Sequence, residues 1–195
     1  MHFGVFHFDV FRWIDGLWIT FIVIWLLGAM RVKRAARRIS GQARMLQILL
    51  ATAGAVFLFD PSLGIGFLAW RFLPENAIVA YLGLAMTAGG LAFAVWARFI
   101  LGQNWSGQIT LKEGHELILR GPYALVRHPI YSGILLGLLG TACCVDQVRG
   151  LIGFGLFLAG WWLKARVEEA LMIEQFGDQY RRYQREVKAL IPFVV

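Results

Sequence analysis

Charge is scarce in this sequence. Only 16% of its 195 residues are Asp, Glu, Lys or Arg, against 58% hydrophobic and a mean hydropathy of +0.62. Soluble domains carry about 25% charged residues, and a small domain cannot hide so large an apolar surplus in one core. A soluble globular protein and a disordered chain are both excluded on those grounds. Cysteine is scarcer still. The two present, Cys143 and Cys144, are adjacent, which provides no disulfide framework and no metal-ligand spacing. No basic n-region or small-residue cleavage site precedes the first apolar run, so no cleavable signal peptide is expected. Walker loops, H-E-x-x-H helices and a Ser/His/Asp grouping are missing. Gly64-Ile-Gly66 and Gly153-Phe-Gly155 follow no strand, so no Rossmann domain is expected.

What is there is a series of five apolar stretches: Gly16 to Met30, Met45 to Phe59, Ala77 to Ala97, Tyr131 to Val145 and Gly150 to Leu163. The pattern predicts an all-α integral membrane bundle of about five transmembrane helices with a cytosolic C-terminal helix. Only the third stretch reaches the roughly 20 residues needed to cross the hydrocarbon. The others, near 15 residues, rise only about 22 Å and must recruit their flanks. Trp13, Trp18, Trp70, Trp161 and Trp162 lie near span ends, where amphipathic rings favour the interface. Gly83, Gly89 and Gly90 in the third stretch, Gly133 and Gly137 in the fourth, and Gly150, Gly153, Gly155 and Gly160 in the fifth suit close helix packing.

Nineteen basic residues outnumber twelve acidic ones, and on a soluble domain such an excess suggests nucleic acid. Here its placement predicts topology instead. With the segment after the first span inside, segments 31–44, 98–130 and 164–195 hold sixteen of the nineteen basic residues, leaving Arg12, Arg71 and Arg149 outside. The positive-inside rule then places the N-terminus outside and the C-terminus and site in the cytoplasm. The run Arg31 to Arg38 reads as a lipid-facing topogenic segment, and no nucleic acid partner is expected. The chain divides into a two-span region, 1–75, with a basic cytosolic loop at 31–44, and a core, 76–195. That core comprises the third span, a loop at 102–130, a helical hairpin at 131–163 and a C-terminal helix at 164–195.

Polar, motif-like residues concentrate at the hairpin's cytoplasmic end. Pro129 suits the first turn of a helix. Arg127 and His128 would then stand at a helix mouth whose dipole and free backbone N–H groups favour an anion such as a ligand carboxylate. Across the hairpin lie Lys164 and the acidic pair Glu168 and Glu169, expensive beside a membrane unless they meet a partner or ligand. Tyr123, Tyr131, Tyr180 and Tyr183 read as interface anchors, and Gly177 as a helix stop.

The combination His115-x-Leu117-Ile118-x-x-Gly121-Pro122-Tyr123, then Arg127-His128-Pro129-x-Tyr131, a span pair, and Glu168-Glu169-x-x-Met172 with Phe176-Gly177-x-x-Tyr180-x-x-Tyr183 resembles the isoprenylcysteine carboxyl methyltransferase family. The wider relatives are phospholipid methyltransferases that share the Arg-His-Pro signature. The resemblance covers roughly residues 98–193. It implies a membrane enzyme that uses S-adenosylmethionine, leaving S-adenosylhomocysteine, without a Rossmann domain or a metal. By position, His115 and Ile118 would contact the adenine side. Tyr123, Arg127, His128, Pro129 and Tyr131 would shape the pocket around the methionine and sulfonium, and Glu168 and Glu169 would bind ribose or the amino group. A lipidic or prenylated acceptor would enter from the bilayer. Many relatives carry Arg where this chain has Lys164, which cannot form a bidentate fork. Lys164 or Arg166 is therefore the expected acceptor-binding cation.

Methyl transfer needs positioning and exclusion of water more than a base when the acceptor is already a carboxylate. Arg127 and Glu168 are expected to be the most damaging to lose, acting by orientation. A lipid amine or small thiol acceptor would require deprotonation, with His128 or a Glu as base. An NADPH-dependent sterol-type membrane reductase and a non-catalytic membrane subunit are the competing classes.

Overall fold

The computed structural model describes residues 3–29, 41–102 and 117–192. Among them the chain forms six α-helices: α1 (Phe3–Ala29), α2 (Gly41–Phe59), α3 (Ala77–Leu101), α4 (Pro129–Val145), α5 (Val148–Phe176) and α6 (Asp178–Glu186). Short 3₁₀ turns at Pro61–Leu63, Gly66–Ala69 and Gly121–Ala124 join them. Most of the basic run 31–44 and the start of the loop 102–130, His115 included, lie outside the described residues.

Three segments are long and apolar enough to cross a membrane: Asp9–Gly28, Gly41–Phe59 and Ala77–Leu101. Each extends the corresponding apolar stretch into its flanks. The fourth stretch becomes α4, only 17 residues long. The fifth lies inside α5, which runs 29 residues because its apolar half continues without a break into the charged segment after Leu163. The expected C-terminal helix over 164–195 is therefore two pieces. Gly177, at φ 52°, turns the chain between them, a conformation that glycine adopts without the Cβ clash of other residues.

Local signals set the other ends. Asn76 caps α3 by accepting from the Val79 N–H at 2.9 Å. Pro129 occupies the first turn of α4, after His128 at its N-cap. Between α4 and α5 only Asp146 and Gln147 remain, so the two helices form a tight antiparallel hairpin. Asp146 sits at φ 50°, and its buried carboxylate accepts from Arg71 Nε and the Leu73 N–H, both at 2.7 Å.

Small residues govern the packing. A Cβ added to Gly90 would lie 2.5 Å from the Gly133 carbonyl oxygen, so α3 and α4 touch backbone to backbone. Gly153 meets the Gly54 carbonyl in the same manner, at 2.7 Å, where α2 packs on α5. Gly89 and Gly155 face open space instead. Trp18 departs from its expected interfacial role: its indole N–H donates to Thr141 Oγ1 at 3.0 Å, because that buried hydroxyl lies within its reach across the bundle. Trp13 and Trp70 do remain exposed.

Candidate active site

The open end of the α4–α5 hairpin gathers Arg127, His128, Tyr131, Lys164, Glu168 and Glu169. Two sequence features create this meeting. Arg127 and His128 immediately precede Pro129, so they emerge at the start of α4. The tight turn at Asp146 then returns α5 antiparallel, carrying its charged half past them.

Glu169 Oε1 accepts from Arg127 Nε at 2.7 Å and pairs with Nη2 at 2.6 Å. His128 Nε2 lies 3.2 Å from the same oxygen, and its Nδ1 is 3.5 Å from Glu168 Oε2. The Tyr131 hydroxyl donates to Glu168 Oε1 at 2.5 Å. All four ionic side chains are at least four-fifths buried. Burial pulls His128 down, but hydrogen bonds to Glu168 and Glu169 outweigh it and hold the imidazole above its ordinary value. Burial pushes both carboxylates up. The His128 hydrogen bond, helped by Lys164 at Glu168 and Arg127 at Glu169, more than offsets it and holds both below the usual range. Each ring nitrogen of His128 thus faces a carboxylate, an arrangement that favours the charged form of the imidazole.

Aromatic rings wall this cluster. His128 and Tyr131 stack at 5.4 Å between centroids, and Tyr131 stacks in turn on Trp161 at 6.0 Å. Lys164 Nζ stands 5.2 Å from the Tyr131 ring centroid, within cation–π range. Arg166, two positions further along α5 and so about 200° round the helix from Lys164, is exposed. Of the two cations considered for the acceptor, Lys164 is the one that stands over the Tyr131 ring. Pro129 is fully buried, Ile118 packs against the core and Tyr123 is buried beneath the Gly121–Ala124 turn.

One expectation is corrected. The N–H groups of Arg127 and His128 are not free for a ligand carboxylate, because they donate to Lys188 O at 2.8 Å and Ala189 O at 3.0 Å. The segment after α6 runs beside the start of α4, making a parallel bridge between Val126 and Lys188. Arg127 Nη1 also donates to the carbonyls of Gln184 and Val187. Arg127 is thus a tie between Glu169 and the C-terminal segment. Tyr180 and Tyr183 are likewise buried rather than interfacial, since α6 folds back under the 3₁₀ turn and the Tyr183 hydroxyl donates to the Tyr123 carbonyl.

Three participants escaped the sequence reading. Gln184 Nε2 donates to Glu169 Oε2 at 3.0 Å, and Ser132 Oγ donates to Leu190 O at 2.6 Å. Gln175 Oε1 is buried without a hydrogen bond among the described residues. Only Gln175 had a readable signal: it lies seven residues, two turns, beyond Glu168 on the same face.

The chemistry of this set suits a cationic ligand rich in donors. Glu168 and Glu169 already receive Arg127, His128, Tyr131 and Gln184, so what they offer a ligand is the remaining lone pairs of the carboxylate oxygens, beside an electron-rich ring and with an unsatisfied amide oxygen two turns away. A sulfonium, an ammonium and ribose hydroxyls match those acceptors, so the residues present fit S-adenosylmethionine.

Residues 78–179 match the family model described as phospholipid methyltransferase. The chain is 31% identical over 125 residues to a "Probable protein-S-isoprenylcysteine O-methyltransferase" of Oryza sativa subsp. indica, covering 63% of this chain and 65% of the relative. It is 33% identical over 96 residues to the protein-S-isoprenylcysteine O-methyltransferase of Schizosaccharomyces pombe, covering 48% and 41%. Against the human protein of that name identity is 28% over 130 residues, covering 64% and 45%. The chain therefore spans between two-fifths and two-thirds of these relatives' lengths. A solved structure, that of a eukaryotic intramembrane Ras methyltransferase (isoprenylcysteine carboxyl methyltransferase), superposes with a TM-score of 0.50 at 25% identity, covering 82% of this chain and 55% of the other.

Proposed function

The chain belongs to the phospholipid methyltransferase family, and from that premise we propose that it is a membrane-embedded S-adenosylmethionine-dependent methyltransferase that esterifies the carboxylate of an isoprenylcysteine-like lipid. The observation that carries this reading is the buried, ionised pair Glu168 and Glu169, held by Arg127, His128 and Tyr131 at the mouth of the hairpin. The relatives' names supply the acceptor class.

When bound, the cofactor would supply an electrophilic methyl group on a sulfonium, chemistry suited to an acceptor carboxylate because that acceptor has no proton to lose. Glu168, oriented by the Tyr131 hydroxyl, stabilises positive charge on the donor side. Lys164, above the Tyr131 ring, is the cation placed to receive the acceptor carboxylate. Arg127 and Glu169 act as positioning residues: they fasten the C-terminal segment over the hairpin end and so exclude water. His128 supports a carboxylate acceptor in preference to an amine or thiol. Both its ring nitrogens are committed to Glu168 and Glu169, which leaves none turned to an acceptor that must lose a proton.

In this reading five spans cross the bilayer, α4 and the apolar half of α5 included. The N-terminus faces outward, and the site and α6 face the cytoplasm. Residues 76–195 form the methyltransferase core and 1–75 a supporting two-span region. The acceptor reaches the site sideways from the membrane.

The test is ligand-induced stabilisation of the purified protein. S-adenosylhomocysteine at about 100 times its dissociation constant is expected to stabilise by about 2.7 kcal/mol. Glu168→Gln should abolish that shift and Arg166→Ala should leave it intact. A thermal shift with NADPH and none with S-adenosylhomocysteine would establish the reductase class instead.

A further inference from the structure

A second polar site lies at the other end of the hairpin, roughly 25 Å along α4 from His128 at 1.5 Å per residue. A recess of about 490 Å³ opens there between the first half of α1, the end of α2 and the α4–α5 turn. Arg71, Gln147 and Arg149 line it together with two carboxylates, Asp15 and Glu75, and Phe11 and Phe59 are among its apolar walls.

Arg149 is more than nine-tenths buried. Its Nε donates to Gln147 Oε1 at 2.6 Å, and its Nη1 reaches the carbonyls of Phe57, Leu58 and Asp60 at 3.1–3.2 Å. Those bonds satisfy the end of α2; the Asp60 carboxylate acts on the guanidinium through space without forming an ion pair, and Nη2 has no hydrogen bond among the described residues. Arg71 is committed through Nε to Asp146 and through Nη1 to Glu75, which likewise leaves Nη2 unused. Two arginines that line the same recess thus each keep one nitrogen without a hydrogen bond among the described residues. Asp15, on the exposed face of α1, lines it as well and makes no ion pair among the described residues.

We propose that this recess binds the headgroup of a zwitterionic phospholipid, the phosphate held by Arg71 and Arg149 and the amine facing Asp15. Guanidinium nitrogens are suited to phosphate oxygens, and a carboxylate beside an aromatic ring suits an ammonium. The lipid source, rather than a free phosphate ester, follows from the surroundings. Phe59 and Trp13 are exposed on helices long and apolar enough to span a membrane, so acyl chains would continue from the recess along α1 and α2. The site is independent of the methyltransferase reading, because it shares no residue with the Glu168 cluster. Its role would be to clamp α1 and α2 onto the hairpin turn.

The experiment titrates the full chain, purified in a maltoside detergent, with dihexanoyl phosphatidylethanolamine, dihexanoyl phosphatidylglycerol, glycerophosphoethanolamine and inorganic phosphate, reading the melting temperature. Saturable stabilisation by the ethanolamine lipid is expected, with the glycerol lipid about tenfold weaker, as one charge-assisted contact implies. The two water-soluble probes should be ineffective at the same concentrations. Asp15→Asn, a surface change that leaves the fold intact, should erase the tenfold preference, and Arg149→Gln should weaken both lipids. Equal binding of both lipids by the unaltered protein, or an unchanged preference in Asp15→Asn, overturns the proposal. Stabilisation by phosphate alone would identify an adventitious ion only.

Discussion

The Tyr131 hydroxyl donates a 2.5 Å hydrogen bond to Glu168 Oε1, joining the first turn of α4 to α5 at the end of the hairpin opposite its turn. The same ring stacks on His128 and Trp161 and lies beneath the Lys164 ammonium. Tyr131→Phe removes only the hydroxyl and keeps the stack. Hydrogen bonds to charged groups contribute about 1.5–3 kcal/mol. The variant should lose stability in that range and bind S-adenosylhomocysteine about tenfold more weakly, as read by denaturant melts and ligand titration. Unchanged affinity would make the tyrosine a packing residue.

The ionic cluster sets a pH window. Glu168 and Glu169 titrate below their ordinary value of 4.5, so their contribution is present above that pH and is lost as pH falls through the depressed folded values. His128 titrates above its ordinary 6.5, so its contribution is complete below that pH and is lost as pH rises through the elevated folded value. Melting temperature should therefore be highest between about pH 4.5 and 6.5. Loss on the alkaline side should disappear in His128→Gln, which has no proton to release.

Arg127 joins Glu169 to the carbonyls of Gln184 and Val187. Arg127→Lys keeps the charge but not the fork. Limited proteolysis should then cut the segment after Val187 more rapidly than in the unaltered protein, and activity should fall with it. Arg166→Ala, on the exposed face of α5, should change neither.

Backbone contact between α3 and α4 makes Gly90 and Gly133 sensitive. Gly133→Ala would place a methyl 2.5 Å from Gly90 O and 2.7 Å from Ala94 N, both backbone atoms that cannot give way alone. A loss of about 2–3 kcal/mol is expected, in the range of overpacked cores. Gly155→Ala meets nothing within 4 Å and should be neutral or stabilising by up to about 1 kcal/mol. Thermal melts of the two variants in the same detergent decide the matter.

These relationships differ in how far the sequence revealed them. Pro129 announces the start of α4, and Gly177 marks the end of α5. With a short turn between the spans, those landmarks are enough to bring Arg127 and His128 opposite Glu168 and Glu169. That Lys164 stands over the Tyr131 ring while Arg166 is exposed was not readable until the phase of α5 was known. The strap at 187–192 was not readable at all. It works through carbonyls of Lys188, Ala189 and Leu190, and every residue type carries a carbonyl. The Arg71–Asp146 pair was hidden for a related reason: 75 positions separate its members, and only the completed bundle brings them together.

The most direct measurement supplies purified protein with S-adenosylmethionine labelled in its methyl group and with N-acetyl-S-farnesylcysteine, then treats the organic product with base. A carboxyl methyl ester releases its label as volatile methanol, whereas an N-methyl or S-methyl product retains it. The account predicts base-labile label that depends on the farnesyl group and is lost in Glu168→Gln. Base-stable label, or transfer undiminished in Glu168→Gln, would contradict it.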